Sequence, residues 1–101
     1  NTNLLVEKFA KIASSSKIHG LICSGKDLNH LHKYKNLIKI TPGVKLFGRK
    51  DDQKRVTFAH DALNEGADYV VIGRELITSK NPIALLNKYY EENKNQNLWT
   101  N

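Results

Sequence analysis

Apolar residues along this chain recur in two ways, at helical spacing and in short unbroken runs. Leu5, Phe9, Ile12 and Ala13 fall at i, i+4, i+7 and i+8, which predicts a helix carrying that apolar face. Thr2 or Asn3 would cap it, and Ser14, Ser15 and Ser16 would end it. Leu21, Ile22 and Cys23 form an apolar run between Gly20 and Gly25, the mark of a buried strand. Leu28, Leu31 and Tyr34 then return to helical spacing over residues 27–34. Residues 37–40 predict a second strand, stopped by Thr41-Pro42-Gly43 because proline lacks a ladder donor. A long polar loop, 44–56, leads to a helix capped by Thr57 and closed at Gly66. Tyr69, Val70, Val71 and Ile72 make the clearest strand, and Gly73 closes it. Asn81-Pro82 reads as an N-cap followed by proline at the first helical position, with Ile83, Leu86 and Tyr90 on one face. From about residue 91 the chain becomes a polar, Asn-rich tail.

The resulting order, α-β-α-β-α-β-α, implies parallel strands joined by right-handed crossovers. Apolar runs rather than alternation fit a sheet buried on both faces. Three strands leave two open edges, so the pattern predicts part of a larger sheet.

Composition narrows the partners. Sixteen Lys and Arg against ten Asp and Glu give a net charge of +6, which favours anionic partners, phosphate-bearing small molecules or nucleic acid. Most lysines stand singly, and only residues 45–55 are locally dense, with Asp51 and Asp52 interrupting them. No aromatic-interleaved basic stripe accompanies them, so a small-molecule phosphate is the better expectation than nucleic acid. Neither a long apolar run nor a secretory pattern is expected, and no membrane partner. A single cysteine excludes a disulfide framework within the chain, which leaves a reducing cytoplasm as the default compartment.

In parallel α/β architectures ligands gather at the carboxyl ends of strands. Those ends carry Cys23-Ser24-Gly25, Thr41-Pro42-Gly43-Val44 and Gly73-Arg74. A βα connection usually takes about 2 to 6 residues, so the loop after the second strand is long enough for a lid that orders over a ligand. Arg74 presents a planar fork matched to phosphate oxygens.

The ordered set Ile40-Thr41-Pro42-Gly43-Val44, Asp52-Gln53-Lys54-Arg55-Val56 and Gly66-Ala67-Asp68-Tyr69-Val70-Val71-Ile72-Gly73-Arg74 resembles the C-terminal signature of bacterial orotidine 5′-monophosphate decarboxylase. Leu21-Ile22-Cys23-Ser24 is similar to the ending of that family's sixth strand, and the resemblance runs over residues 4–89. It implies the C-terminal portion of a (β/α)8 (TIM) barrel, strands six to eight, within one barrel domain. The implied reaction is the conversion of orotidine monophosphate to uridine monophosphate and carbon dioxide, a pyrimidine-biosynthetic lyase step that needs no metal or organic cofactor. The intact family enzyme is a homodimer. By the same resemblance Arg74, with the Gly73 backbone, would bind the 5′-phosphate, and Gln53 would close over it and reach the pyrimidine. Pro42 and Val44 would line the base pocket, with Ser24 near the strand end facing it. Lys45 stands where the family usually has Arg, which keeps the charge and loses the fork. The family's Asp-x-Lys-x-x-Asp cluster lies on earlier strands. Asp52-x-Lys54 begins that pattern, but Thr57 replaces the second Asp and the run sits on the phosphate loop. No catalytic residue is assigned, and the chain by itself is expected to be inactive. It would then be the phosphate-binding part of the enzyme; the alternatives are a non-catalytic phosphate-binding remnant and a basic nucleic-acid module.

Plainer readings stand beside these. Cys23 suits a strand core better than a nucleophile. His30 and His32, two apart on a helix, point in different directions and make a poor metal pair. Ser24 either caps the next element or touches ligand, and Arg74 either binds phosphate or forms a structural ion pair. Leu98 and Trp99 either dock on a partner surface or have no role.

Overall fold

A computed structural model describes residues 2–48 and 56–94. The elements are α1 (Thr2–Ser15), β1 (Gly20–Ile22), a 3-10 turn (Leu28–His30), β2 (Ile38–Pro42), α2 (Ala59–Asn64), β3 (Tyr69–Val71), α3 (Arg74–Ile77) and α4 (Pro82–Asn93). The three strands pair in parallel in the order β1-β2-β3. The α/β fold with crossovers is therefore the one expected. β2 is central and runs further than expected, through Thr41 to Pro42, which registers with Val71. Pro42 is its last residue, where the missing N–H leaves no gap inside the ladder.

Strand register sorts the side chains onto two faces. Leu21, Lys39, Thr41 and Val70 point toward the helices, where Lys39 and Thr41 are buried. The Lys39 ammonium is held there by the Tyr34 carbonyl at 2.6 Å. On this side lie both core clusters, one around Leu28, Val44, Leu46, Ala59 and Tyr89, the other around Ala10, Ala13, Leu31 and Leu37. The opposite face carries Ile22, Ile40 and Tyr69 in one row, flanked by Ile38 and Val71. Ile22 is 76% exposed and Tyr69 63% exposed, so one face of the sheet is apolar and uncovered.

Helix faces depart from the periodicity. In α1 the inward side is Val6, Ala10 and Ala13, packed with Leu21, Leu31, Leu37 and Tyr34. Leu5, Phe9 and Ile12 are exposed, so only Ala13 of the expected face is buried. Small residues at 10 and 13 let the helix approach the sheet closely, and a larger apolar stripe remains outside. In α4 the inward residues are Leu85, Tyr89 and Asn93, whereas Ile83, Leu86 and Tyr90 are exposed. The helix also outruns the expected tail boundary at residue 91, with Asn93 buried and its Nδ2 donating to the Tyr89 carbonyl at 2.9 Å. Leu98 and Trp99 lie outside the described residues.

Residues 27–34 form no α-helix. Bonds from Leu31 N to the Leu28 carbonyl, Tyr34 N to Leu31 and Leu37 N to Tyr34 make a staircase of three-residue turns. Leucines at 28, 31 and 37 match that three-residue step and are each buried. Thr57 does not cap α2 either. Phe58 takes the N-cap without a side-chain cap bond, and the Thr57 carbonyl accepts from Lys45 N at 3.1 Å. Gly66, one residue past the α2 cap, has φ +116°, the conformation that favours glycine there.

Asn81 is the expected cap of α4, its Oδ1 accepting from Ala84 N at 3.1 Å ahead of Pro82. Asn81→Ala is expected to cost about 1 kcal/mol, read as a lower urea midpoint at unchanged slope. An unchanged midpoint would mean that the proline alone starts the helix.

Candidate functional site

Two strand ends build the site. Beyond β2 the chain turns at Gly43, whose φ of +70° favours glycine, and Val44 drops into the core. Lys45 then pairs with Phe58 in an isolated parallel bridge, its carbonyl accepting from Ala59 N at 2.8 Å. That bridge brings the two arms of the long loop together. The first arm is not the polar segment expected: Val44 and Leu46 belong to the core, and Phe47 packs edge-on to Tyr89 at 6.1 Å between ring centres. Beyond β3, Gly73 precedes the one-turn helix α3, which begins at Arg74. So short a helix has little macrodipole, and positive charge at this end must come from side chains.

Between these two turns lies a cleft of about 330 Å³, lined by Gly43, Val44, Lys45, Val71, Gly73, Arg74 and Glu75. A Cβ at Gly43 or Gly73 would meet nothing within 4 Å, so the backbone at both positions borders open space. Among the described residues no ion pair or hydrogen bond engages the Lys45 ammonium or the Arg74 guanidinium, and the Thr78 hydroxyl reaches only the Arg74 carbonyl. Glu75, the nearest carboxylate in sequence to Arg74, is committed instead to the backbone N–H groups of Leu46 (2.7 Å) and Phe47 (3.2 Å). Two cations at the rim of a glycine-edged cleft suit a phosphate group.

Of the residues singled out from the sequence, Val44, Lys45, Gly73 and Arg74 meet in this cleft. Pro42 sits one residue before it on the uncovered face of the sheet. Ser24 stands apart at the end of β1. Its hydroxyl donates to Asp27 Oδ2 at 3.0 Å and its carbonyl accepts from Asp27 N, a local turn rather than a cleft wall. Gln53, and with it the Asp52-x-Lys54 run, lies outside the described residues. Cys23 packs against both core clusters, and burial pushes its thiol up, with the Thr41 hydroxyl pulling the other way. His32 Nε2 is 2.6 Å from the Glu65 carbonyl, a link between the turn staircase and the end of α2. Glu75 and α3 had no counterpart in the sequence reading. The acidic residue directly after Gly-Arg was the available signal.

The family model of the orotidine 5′-phosphate decarboxylase / HUMPS family matches residues 1–89. The chain belongs to that family. Among its relatives are the orotidine 5′-phosphate decarboxylases of Wolbachia pipientis (40% identical over 75 residues, 72% of this chain and 33% of the relative). The enzyme of Syntrophus aciditrophicus is 34% identical over 95 residues, 90% of this chain and 38% of the relative. That of Neisseria meningitidis is 35% identical over 100 residues, 95% and 39% respectively. The chain thus spans between a third and two fifths of the length of these relatives. Its three parallel strands alternating with helical segments are a portion of the barrel fold of this family. No helix among the described residues is long and apolar enough to cross a membrane.

Proposed function

We propose that this chain is the C-terminal, phosphate-holding part of an orotidine 5′-phosphate decarboxylase, contributing strands six to eight of a single barrel domain. The observation that carries the reading is the cleft where Lys45 and Arg74, both without carboxylate partners among the described residues, meet Gly43 and Gly73. Arg74 holds the 5′-phosphate of orotidine monophosphate through charge-assisted bonds, and Lys45 adds a point charge without a fork. Val44 and Pro42 border the base side, and Gln53 closes from the loop. The carbon that loses carbon dioxide is handled by the lysine and carboxylates of earlier strands. Phosphate binding far from that carbon can still lower the chemical barrier, because its free energy offsets the cost of positioning the substrate.

The partner is the remainder of the barrel. Eight strands close a barrel of this kind, and the described residues supply three, so the remaining strands complete it. Ile22, Ile38, Tyr69 and Val71 then fill the barrel interior, and the exposed stripes of α1 and α4 meet the flanking helices. The completed enzyme pairs as a homodimer in the cytoplasm.

Titration of the chain with uridine 5′-monophosphate and with uridine, followed by amide shifts, tests the binding half of this reading. The nucleotide is expected to shift Gly43, Lys45, Gly73 and Arg74 saturably, and uridine is not. Equal responses to both would remove phosphate from the cleft. A uniform, steeply salt-dependent response to arbitrary DNA instead would favour a nucleic-acid module.

A further inference from the structure

Glu75 presents a physical contradiction. It lines the cleft assigned to an anion, beside Arg74, yet it brings a negative charge there. Charge alone would select against it, since a carboxylate near a phosphate repels it. Its contacts supply the compensation. Oε1 accepts from Leu46 N at 2.7 Å and Oε2 from Phe47 N at 3.2 Å, so one carboxylate grips two consecutive amides across 29 and 28 residues of sequence. Such ionised acceptors make stronger bonds than neutral ones. The gripped segment is the first arm of the long loop, immediately after Lys45. Further contacts hold the same arm: Phe47 edge-on to Tyr89, Lys88 Nζ 4.8 Å from the centre of the Phe47 ring, and Leu46 buried in the core. Among these contacts only Glu75 joins the arm to the Gly73-Arg74 turn.

We propose that Glu75 is a positioning residue that sets the first arm of the loop after β2, residues 44–48, in register with Arg74, so that Lys45 faces the same phosphate as the guanidinium. This rests on the phosphate-holding reading and adds a residue to it. The two bonds outweigh the repulsion because both carboxylate oxygens are turned to N–H donors. A neutral glutamine can accept only one of the two bonds, since its amide nitrogen meets the other N–H donor to donor.

The full chain and its Glu75→Ala, Glu75→Gln and Arg74→Ala variants separate the possibilities through amide hydrogen exchange and uridine monophosphate titration. In Glu75→Ala the Leu46 and Phe47 amides are expected to lose about tenfold in protection. The Cys23 and Asp68 amides, bonded to the Ile40 and Lys39 carbonyls, should be unchanged and report an intact sheet. Nucleotide affinity is expected to fall roughly fivefold or more, with Glu75→Gln in between. Affinity that rises or stays level in both Glu75 variants would overturn the proposal, because removing a repelling charge is then all the substitution does. Unchanged protection at Leu46 and Phe47 would overturn it independently of any ligand. If Arg74→Ala binds the nucleotide as the parent does, the phosphate site itself fails and Glu75 has nothing to position. Loss of protection at Cys23 and Asp68 in Glu75→Gln as well would assign the residue to folding and also overturn the positioning role.

Discussion

In the assembled enzyme, Arg74→Ala is expected to lower kcat/KM by ~10²-fold or more, the scale of a lost charge-assisted phosphate contact. Arg74 opens α3 directly after the glycine that ends β3, and no carboxylate pairs with it among the described residues. Its removal therefore breaks no ion pair seen in the fold, and the loss is read on substrate rather than on stability. The effect should not be confined to KM. Where binding of a remote group offsets the cost of positioning the reacting carbon, losing it slows the chemical step, so kcat falls as well. Arg74→Lys keeps a charge without the planar fork and should lie between parent and alanine. A loss of less than about threefold in the alanine variant, under 1 kcal/mol, would take Arg74 out of the site.

Strands and strand ends were the legible part of the sequence. Residues 69–72 are apolar, β-branched or aromatic and end at glycine, and the strand falls there within a residue. The Gly43 and Gly73 turns were legible for the same reason, since local chemistry fixes where a parallel strand stops. Helix faces were not legible. Each outer helix carries apolar residues on two sides, and periodicity cannot tell which side meets the sheet. In α1 the smaller set, Ala10 and Ala13, packs inward while Leu5, Phe9 and Ile12 remain outside. The three-residue leucine step at 28 and 31 fits a helix or a turn staircase equally well, and hydrogen bonding to nearby carbonyls decides it. An acidic residue after Gly-Arg could be noticed at Glu75, but its contacts were not legible because they run to amides 28 and 29 residues away. Ser24 could be read either as a cap or as a ligand contact, and its bond to Asp27 three residues on was not legible beforehand.

Alone, the chain should do no chemistry. The described cleft offers Lys45, Arg74 and Glu75, of which Glu75 is already bonded to backbone and the other two are suited to phosphate. Holding one end of a substrate stabilises substrate and transition state alike, which does not accelerate the reaction by itself. The uncovered row of Ile22, Ile40 and Tyr69, and the strand edges left open among the described residues, are also expected to make the isolated chain associate. Under the proposed function both deficits have the same remedy, the remaining strands of the barrel, which cover the face and bring the lysine acid. The most direct measurement is the loss of orotidine monophosphate absorbance with the purified chain, with and without a separately produced polypeptide carrying the first five strands of a relative's barrel. The account predicts no turnover by the chain, none by the companion, and turnover when they are mixed, abolished by Arg74→Ala in the chain. Turnover by the isolated chain, or a mixture that folds together and stays inactive, would contradict it.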